Sequence, residues 1–133
     1  MSHKFNVSEL AQLCQPAELI WISPGEFLFR EGDEGHDLYI VQHGTLRVMS
    51  ASTVYETVRE GDVVGEMAIL NEGMPRSASV IAGTRVQLLR INKDRFLSLV
   101  KNNPNFAIDV MRVMAGRLRV MNQRERNLRV MCS

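Results

Sequence analysis

The sequence has 133 residues, enough for one domain with a substantial hydrophobic core and too few for two. Its 16 basic and 15 acidic residues nearly balance, which excludes a strong overall attraction to nucleic acid or to an anionic membrane. Two cysteines, Cys14 and Cys132, are too few and too far apart for a metal cluster or a disulfide framework. No segment has the apolar length of a signal peptide or a membrane span, so we expect a cytoplasmic protein without a span.

The N-terminal segment, residues 1–17, is predicted to hold one short helix. Asn6 and Glu9 have the spacing of a capping box, with Asn6 as the N-cap. The helix should therefore run from this cap to about Cys14.

Residues 18–91 are predicted to form an antiparallel β sandwich or barrel, which makes a mainly β fold with flanking helices. Short apolar segments alternate there with turns rich in Gly, Pro and Asp. About eight strands in this length suit a small jelly roll, or double-stranded β-helix. The predicted strands cover 19–22, 27–29, 38–41, 46–48, 54–58, 79–81 and 86–91.

Residues 92–133 are predicted to be helical. Asn92 should cap a helix over 93–101, and Asn103-Pro104 should begin a long last helix that runs to about Arg129. An apolar stripe follows the last helix, either packing on its own barrel or, as the heptad-like period favours, joining a second copy or a partner protein. Its residues are Ala107, Met111, Met114, Leu118, Met121 and Leu128. The arginines of this segment are predicted to lie mostly on a solvated face, the alternative being a surface for a partner or a lipid headgroup: Arg112, Arg117, Arg119, Arg124, Arg126 and Arg129.

The stretch with the clearest chemistry is residues 65–78. It places a carboxylate, Glu66, and a guanidinium, Arg76, around a short turn with several backbone N–H groups. A carboxylate accepts hydrogen bonds from hydroxyl groups, and a guanidinium with oriented amides suits a phosphate. A small molecule that carries both ribose and phosphate would match this pattern.

That stretch resembles the phosphate-binding cassette of the cyclic nucleotide-binding domain family. Gly65-Glu66-Met67-Ala68 followed by Pro75-Arg76-Ser77-Ala78 is the specific part of the resemblance. Residues 24–35 look like the family's first hairpin, and 38–44 like the strand and turn that follow it. The resemblance implies a single domain over 1–133: a helical segment (1–17), a jelly roll (18–91) with its cassette (65–78), and C-terminal helices (92–133).

The resemblance also implies a role for each cassette residue. Arg76 would pair with the cyclic phosphate, Glu66 would accept from the ribose 2′-hydroxyl, and Ser77 would add its hydroxyl or N–H. Gly65 would allow close backbone approach, and the amides of Met67 and Ala68, with neighbouring Ala78, would complete the anion site. The alternatives to these binding roles are structural: a surface salt bridge between Arg76 and Glu66, or a favourable position for the Glu66 carboxylate at a helix N-terminus.

The last helix is expected to cover the base. Alignment to the catabolite activator branch of the family puts the base-contacting pair on Met121 and Asn122, although Asn122 could equally lie exposed. The ligand is expected to be cAMP, with cGMP as the alternative, because cGMP-selective members often carry Thr at the position of Ser77. Gene-regulating members continue into a helix-turn-helix module that this sequence lacks, so direct DNA binding is not expected.

Other functions fit the sequence less well. His36 and His43 lack the spacing of a metal-binding jelly roll, and the acidic run 31–37 lacks the frame of a calcium loop. No nucleophile–base pair is evident, so we expect neither an enzyme nor a cofactor or metal. The competing hypothesis is a degenerate jelly roll that binds no nucleotide and serves as a protein–protein interaction module.

Overall fold

The computed structural model describes residues 4–50, 53–71 and 73–132, except for the side chains of 53, 55, 120, 121, 124, 125 and 127–132. Two four-stranded antiparallel sheets form the jelly roll, in the orders β1-β8-β3-β6 and β2-β7-β4-β5. The elements in chain order are α1 (Val7–Leu13), β1 (Leu19–Ile22), β2 (Phe27–Phe29), β3 (Asp37–His43), β4 (Leu46–Ser50), β5 (Thr53–Val58), β6 (Val63–Val64), α2 (Met67–Leu70), β7 (Ser79–Ala82), β8 (Val86–Asn92), α3 (Lys93–Asn102) and α4 (Asn105–Cys132). The predicted mainly β fold with a short N-terminal and a long C-terminal helix is confirmed.

Strand β6 is the element that the sequence prediction missed. It has only two residues, Val63 and Val64, between the turn at Gly61-Asp62 and the cassette. A two-residue strand shows no alternation, so nothing in the sequence distinguishes it from the loop. Its pairing with Tyr39 and Ile40 of β3 holds the start of the cassette against the barrel.

Strand β8 joins the two halves of the core. Leu88 points into the space between the sheets, whereas Leu89 and Ile91 point toward the helices. All three are fully buried because β8 lies inside its sheet, with β1 on one side and β3 on the other. The sandwich interior and the helical layer are therefore packed against opposite faces of one strand.

The predicted helix caps are confirmed. Asn6 Oδ1 accepts from Glu9 N–H at 3.0 Å, and Asn92 Oδ1 accepts from Arg95 N–H at 2.8 Å. Each bond satisfies one of the amides that a helix N-terminus leaves without a partner. The caps fix where α1 and α3 begin, and α3 in turn directs the chain into α4.

Helix α4 packs on the barrel through a different face from the predicted stripe. Phe106, Val110 and Val113 are buried, and Phe106 also contacts the ring of Phe96 with 5.5 Å between centroids. From the stripe, Met111 and Leu118 are 59% and 58% exposed. Ala107 and Met114 are half-buried, while the side chains of Met121 and Leu128 lie outside the described residues.

The difference has a physical reason. Residues 106, 110 and 113 follow the same three- and four-residue steps as the stripe, so helical periodicity alone could not choose between the two faces. The aromatic ring of Phe106 and the β-branched valines fill the helical layer of the core, which leaves the Met111/Leu118 face uncovered in the single chain. Although α4 is long, no helix among the described residues has the apolar length that a membrane crossing requires.

Candidate functional site

A cavity of ≈ 180 Å³ lies between the cassette, the sandwich interior and α4. Apolar side chains from the sandwich interior and four charged side chains line it. Every cassette residue predicted for the site lines this one cavity: Gly65, Glu66, Met67, Ala68, Arg76, Ser77 and Ala78. The remaining lining residues are Phe29, Val48, Glu56, Val64, Met74, Pro75, Val80 and Arg117.

The cassette backbone approaches Arg76 closely at Gly65. Gly65 has φ +76°, and a Cβ there would lie 2.7 Å from Arg76 Nη1. Only glycine combines that left-handed conformation with such an approach. The short helix α2 follows, and Ala68 N–H donates to Gly65 O at 3.2 Å, whereas no described backbone bond uses Met67 N–H. In this state the Ala68 amide is engaged within the turn.

Arg76 forms one end of the cavity and is only 8% exposed. Its Nη1 donates to Gly65 O at 3.0 Å and its Nη2 to Asp37 O at 2.9 Å, while the guanidinium carbon lies 4.0 Å from the Phe29 ring centroid. These partners are neutral, and none of the described ion pairs includes Arg76. Its buried Nε has no hydrogen-bond partner among the residues that the structure describes.

The electrostatics of Arg76 follow from this geometry. Burial lowers the pKa of Arg76, and the nearby groups Tyr39, Asp37 and Glu66 oppose that shift only in part. An anion entering the cavity would supply the missing counter-charge and could accept from the Met67 amide. This part of the cavity thus holds a buried cation that has no negative partner among the described ion pairs.

The backbone N–H and C=O of Arg76 are both hydrogen-bonded to the loop between β2 and β3. Gly32 N–H donates to Arg76 O, and Arg76 N–H donates to Asp33 O, both at 2.8 Å. Gly35 of the same loop sits so close that a Cβ there would lie 2.1 Å from Arg76 Nε. The loop therefore sets the position of the guanidinium.

Glu66 also lines the cavity and contacts α4 through Arg117. Its Oε1 is 3.5 Å from Nη1 of Arg117, and both side chains are largely buried. Among the described ion pairs, Glu66 has Arg117 as its partner, so the expected alternative of a salt bridge with Arg76 is wrong. Glu66 does occupy the N-cap position of α2, but its side chain makes no capping hydrogen bond.

Arg117 and Glu56 are the site residues that the sequence reasoning missed. Arg117 Nε and Nη2 donate to the two carboxylate oxygens of Glu56 at 2.6 and 3.0 Å, and Nη1 donates to Val63 O. Burial alone lowers the pKa of Arg117, but the hydrogen bond to Glu56 and the charges of Glu66, Glu56 and Asp62 raise it overall. Arg117 is therefore an exception to the prediction that most arginines of this segment lie on a solvated face.

A signal for Arg117 was present in the sequence. It stands four residues after Val113 and seven after Val110, on the stripe that faces the barrel. A cation on the buried face of a helix requires a buried acceptor, which points to a carboxylate across the cavity. Glu56 alternates with Val58 on β5 and so faces the same interior.

The predicted base contacts are not part of the described cavity. Asn122 is exposed, and the side chain of Met121 lies outside the described residues. The remaining rim residues Ser77 and Met67 are exposed at the mouth. No three His, Cys, Asp or Glu side chains of the described residues gather at a place that could hold a metal ion.

Comparisons with known proteins identify the class of this site. The sequence model of the cyclic nucleotide-binding domain matches residues 19–103. The chain is 32% identical over 92 residues to a cAMP-dependent protein kinase regulatory subunit of Hypocrea atroviridis, covering 69% of this chain and 20% of that protein. It is 30% identical over 107 residues to lysophospholipase nte1 of Neurospora crassa, covering 77% of this chain and 7% of that protein.

The solved structures agree with the sequence comparison. The catabolite activator protein of Thermus thermophilus matches with a TM-score of 0.74 and 27% identity, covering 91% of this chain and 59% of that one. The chain thus spans a small part of the curated relatives described above and more than half of this structure.

Proposed function

The chain belongs to the cyclic nucleotide-binding domain family, and we propose that it is a regulatory domain that binds a cyclic nucleotide, cAMP in preference to cGMP. The observation that carries the proposal is the buried guanidinium of Arg76, which has two neutral carbonyl partners and an Nε without any partner. A cyclic phosphate would supply the negative charge that this group lacks. We assign the domain no catalytic role and no cofactor.

The proposal gives each cassette group a role. Arg76, the Met67 amide and Ser77 would receive the phosphate, and Glu66 would accept from the ribose 2′-hydroxyl, which is supported by their lining one cavity. The apolar floor of Val48, Ala78 and Val80 excludes water from the charged contacts and so strengthens them. Micromolar binding requires about 8 kcal/mol, so these contacts must act together with burial of the base.

Signalling is assigned to α4. The helix covers the cavity through Arg117, and we propose that its continuation carries Met121 and Asn122 over the base when the ligand binds. The exposed face around Met111 and Leu118 would then meet a second copy or a partner protein in one of the two arrangements. If this assignment holds, Asn122→Ala weakens cAMP binding but leaves the binding of ribose phosphate unchanged; equal losses for both ligands would remove Asn122 from the base site.

Calorimetric titration of the chain with cAMP and then cGMP tests the proposal directly. We expect saturable binding at micromolar affinity or better, with cAMP the tighter ligand. Arg47→Ala, which removes an exposed arginine from the outside of β4, is the matched control for Arg76→Ala. A folded chain that gives no heat with either nucleotide at two temperatures would instead favour the protein–protein interaction module.

A further inference from the structure

At the rim of the cavity, the side chain of Arg117 connects helix α4 to the barrel. Nε and Nη2 of Arg117 donate to the two carboxylate oxygens of Glu56 on β5. Its Nη1 donates to the carbonyl of Val63 on β6 and lies 3.5 Å from Oε1 of Glu66. A bidentate guanidinium–carboxylate pair is among the strongest side-chain contacts, and its geometry fixes both partners. Arg117 thereby connects α4 to strands β5 and β6 and to the cassette.

This contact restricts the cavity. Arg117 and Glu56 are both lining residues, and the space left between them and Arg76 is ≈ 180 Å³. Pockets that enclose a small-molecule ligand usually measure about 300–1,000 Å³. The cavity that the ion pair borders is smaller than this range.

The two carboxylates around Arg117 are not equivalent. Glu66 stands at the longer distance and belongs to the cassette, where the ligand's hydroxyl is expected. Glu56 lies outside the cassette, and its carboxylate has no described hydrogen-bond partner other than Arg117. Glu56 is therefore the group that keeps Arg117 at the rim, and removing its charge alters no other described contact.

We propose that the Glu56–Arg117 pair is an autoinhibitory latch, which holds α4 over the cavity until a ligand breaks it. The inference rests on the proposed function for the identity of the ligand, but the latch itself is a property of the ligand-free chain. A nucleotide binds only the fraction of molecules in which the latch is open, so the pair lowers the apparent affinity by that fraction. The strength of one ion pair thus sets the ligand concentration at which α4 moves.

The test compares Glu56→Gln with the wild-type chain. Glutamine keeps the size and one acceptor oxygen but loses the charge, and Glu60→Gln, an exposed carboxylate on the following turn, is the matched control. In ligand-free protein we expect amide hydrogen exchange of residues 113–119 to be about tenfold faster in Glu56→Gln, because local opening no longer breaks a charge-assisted bond. Glu60→Gln should exchange like the wild-type chain.

Titration with cAMP and cGMP forms the second arm. Glu56→Gln should bind the nucleotide about tenfold more tightly, by the same opening equilibrium, and Arg117→Lys, which keeps the charge but loses the fork, should lie between it and the wild-type chain. Unchanged exchange, or weaker binding by Glu56→Gln, would overturn the latch. The two proposals fail separately, since a wild-type chain that binds neither nucleotide refutes the ligand, whereas the exchange arm requires no nucleotide.

Discussion

Two arginines line the cavity, and the fold gives them opposite surroundings. Arg76 lies among neutral carbonyls and an aromatic ring, and its Nε is left without a partner. The side chain of Arg117 is 19% exposed, and it meets the carboxylates of Glu56 and Glu66. One cation lacks a counter-charge, and the other has two within 3.5 Å.

The contrast separates a binding group from a structural group. Burying a charge without a counter-ion costs free energy in the free protein. Binding of an anion removes that cost, because it supplies the counter-charge. A buried charge that is already paired gains little from a ligand and instead fixes the elements that it joins. Substitution of Arg76 should therefore affect ligand affinity more than stability, and substitution of Arg117 should affect stability more than affinity.

The largest expected effect is on binding at Arg76. Arg76→Ala should weaken cyclic nucleotide binding by about 2–5 kcal/mol, because the phosphate would meet a buried site without its cation. The free energy of unfolding should change by no more than about 1 kcal/mol, since the loss of two hydrogen bonds is offset by removal of an unpaired charge. Calorimetry and urea unfolding measure the two quantities on the same sample.

Arg76→Lys sharpens that prediction. Lysine keeps the charge but not the fork, so its affinity should fall between those of the wild-type chain and Arg76→Ala. If Arg76→Ala destabilised the fold as much as it weakened binding, Arg76 would be a structural group and the contrast with Arg117 would disappear.

The converse is expected at Arg117. Arg117→Ala leaves the partly buried carboxylates of Glu56 and Glu66 without a cation, so it should lower the free energy of unfolding by about 2–3 kcal/mol. Nucleotide affinity, corrected for the folded fraction, should not fall, because the phosphate end is intact. Arg119→Ala, an exposed arginine on the same helix, is the control in urea unfolding. Equal stability of the two variants would show that the Glu56–Arg117 pair contributes nothing to the fold.

The difference between the two arginines also explains what the sequence could reveal. Arg76 and Glu66 belong to one contiguous segment whose spacing is fixed by a short turn, so their common cavity was predictable. Arg117 and Glu56 are 61 residues apart, and only the packing of α4 on the barrel brings them together. Pairing over that separation leaves no local pattern.

The face of α4 that packs on the barrel could not be predicted for a related reason. Met111 and Leu118 follow a helical period as well as Val110 and Val113 do, and periodicity does not say which side a barrel will cover. By contrast, the caps at Asn6 and Asn92 and the strand alternation depend on neighbouring residues alone, and those predictions were correct. Local chemistry fixed where the elements begin, and long-range packing fixed which faces they present.

A smaller effect on ligand affinity is expected at Glu66, which contacts Arg117 and belongs to the same cassette as Arg76. If its carboxylate leaves Arg117 to accept the ribose hydroxyl, 2′-deoxy-cAMP should bind the wild-type chain about 1.5–2 kcal/mol more weakly than cAMP, the value of a charge-assisted hydrogen bond. In Glu66→Gln that difference should shrink, because the acceptor has lost its charge. Equal affinity for cAMP and its 2′-deoxy analogue would leave Glu66 only as a partner of Arg117.

The smallest expected effect tests how the position of Arg76 is set. A methyl group at Gly35 would lie 2.1 Å from Nε and 2.4 Å from the guanidinium carbon, both at the end of a flexible side chain. Gly35→Ala should therefore displace the guanidinium at little cost to the fold and weaken nucleotide binding by about 1 kcal/mol, because the fork no longer meets the phosphate squarely. Gly83→Ala, at a glycine that also lacks a positive φ, is the control. If Gly35→Ala bound as tightly as the wild-type chain, the bound guanidinium would have to occupy a different position from that of the free protein, and the unpaired Nε would no longer mark where the phosphate lies.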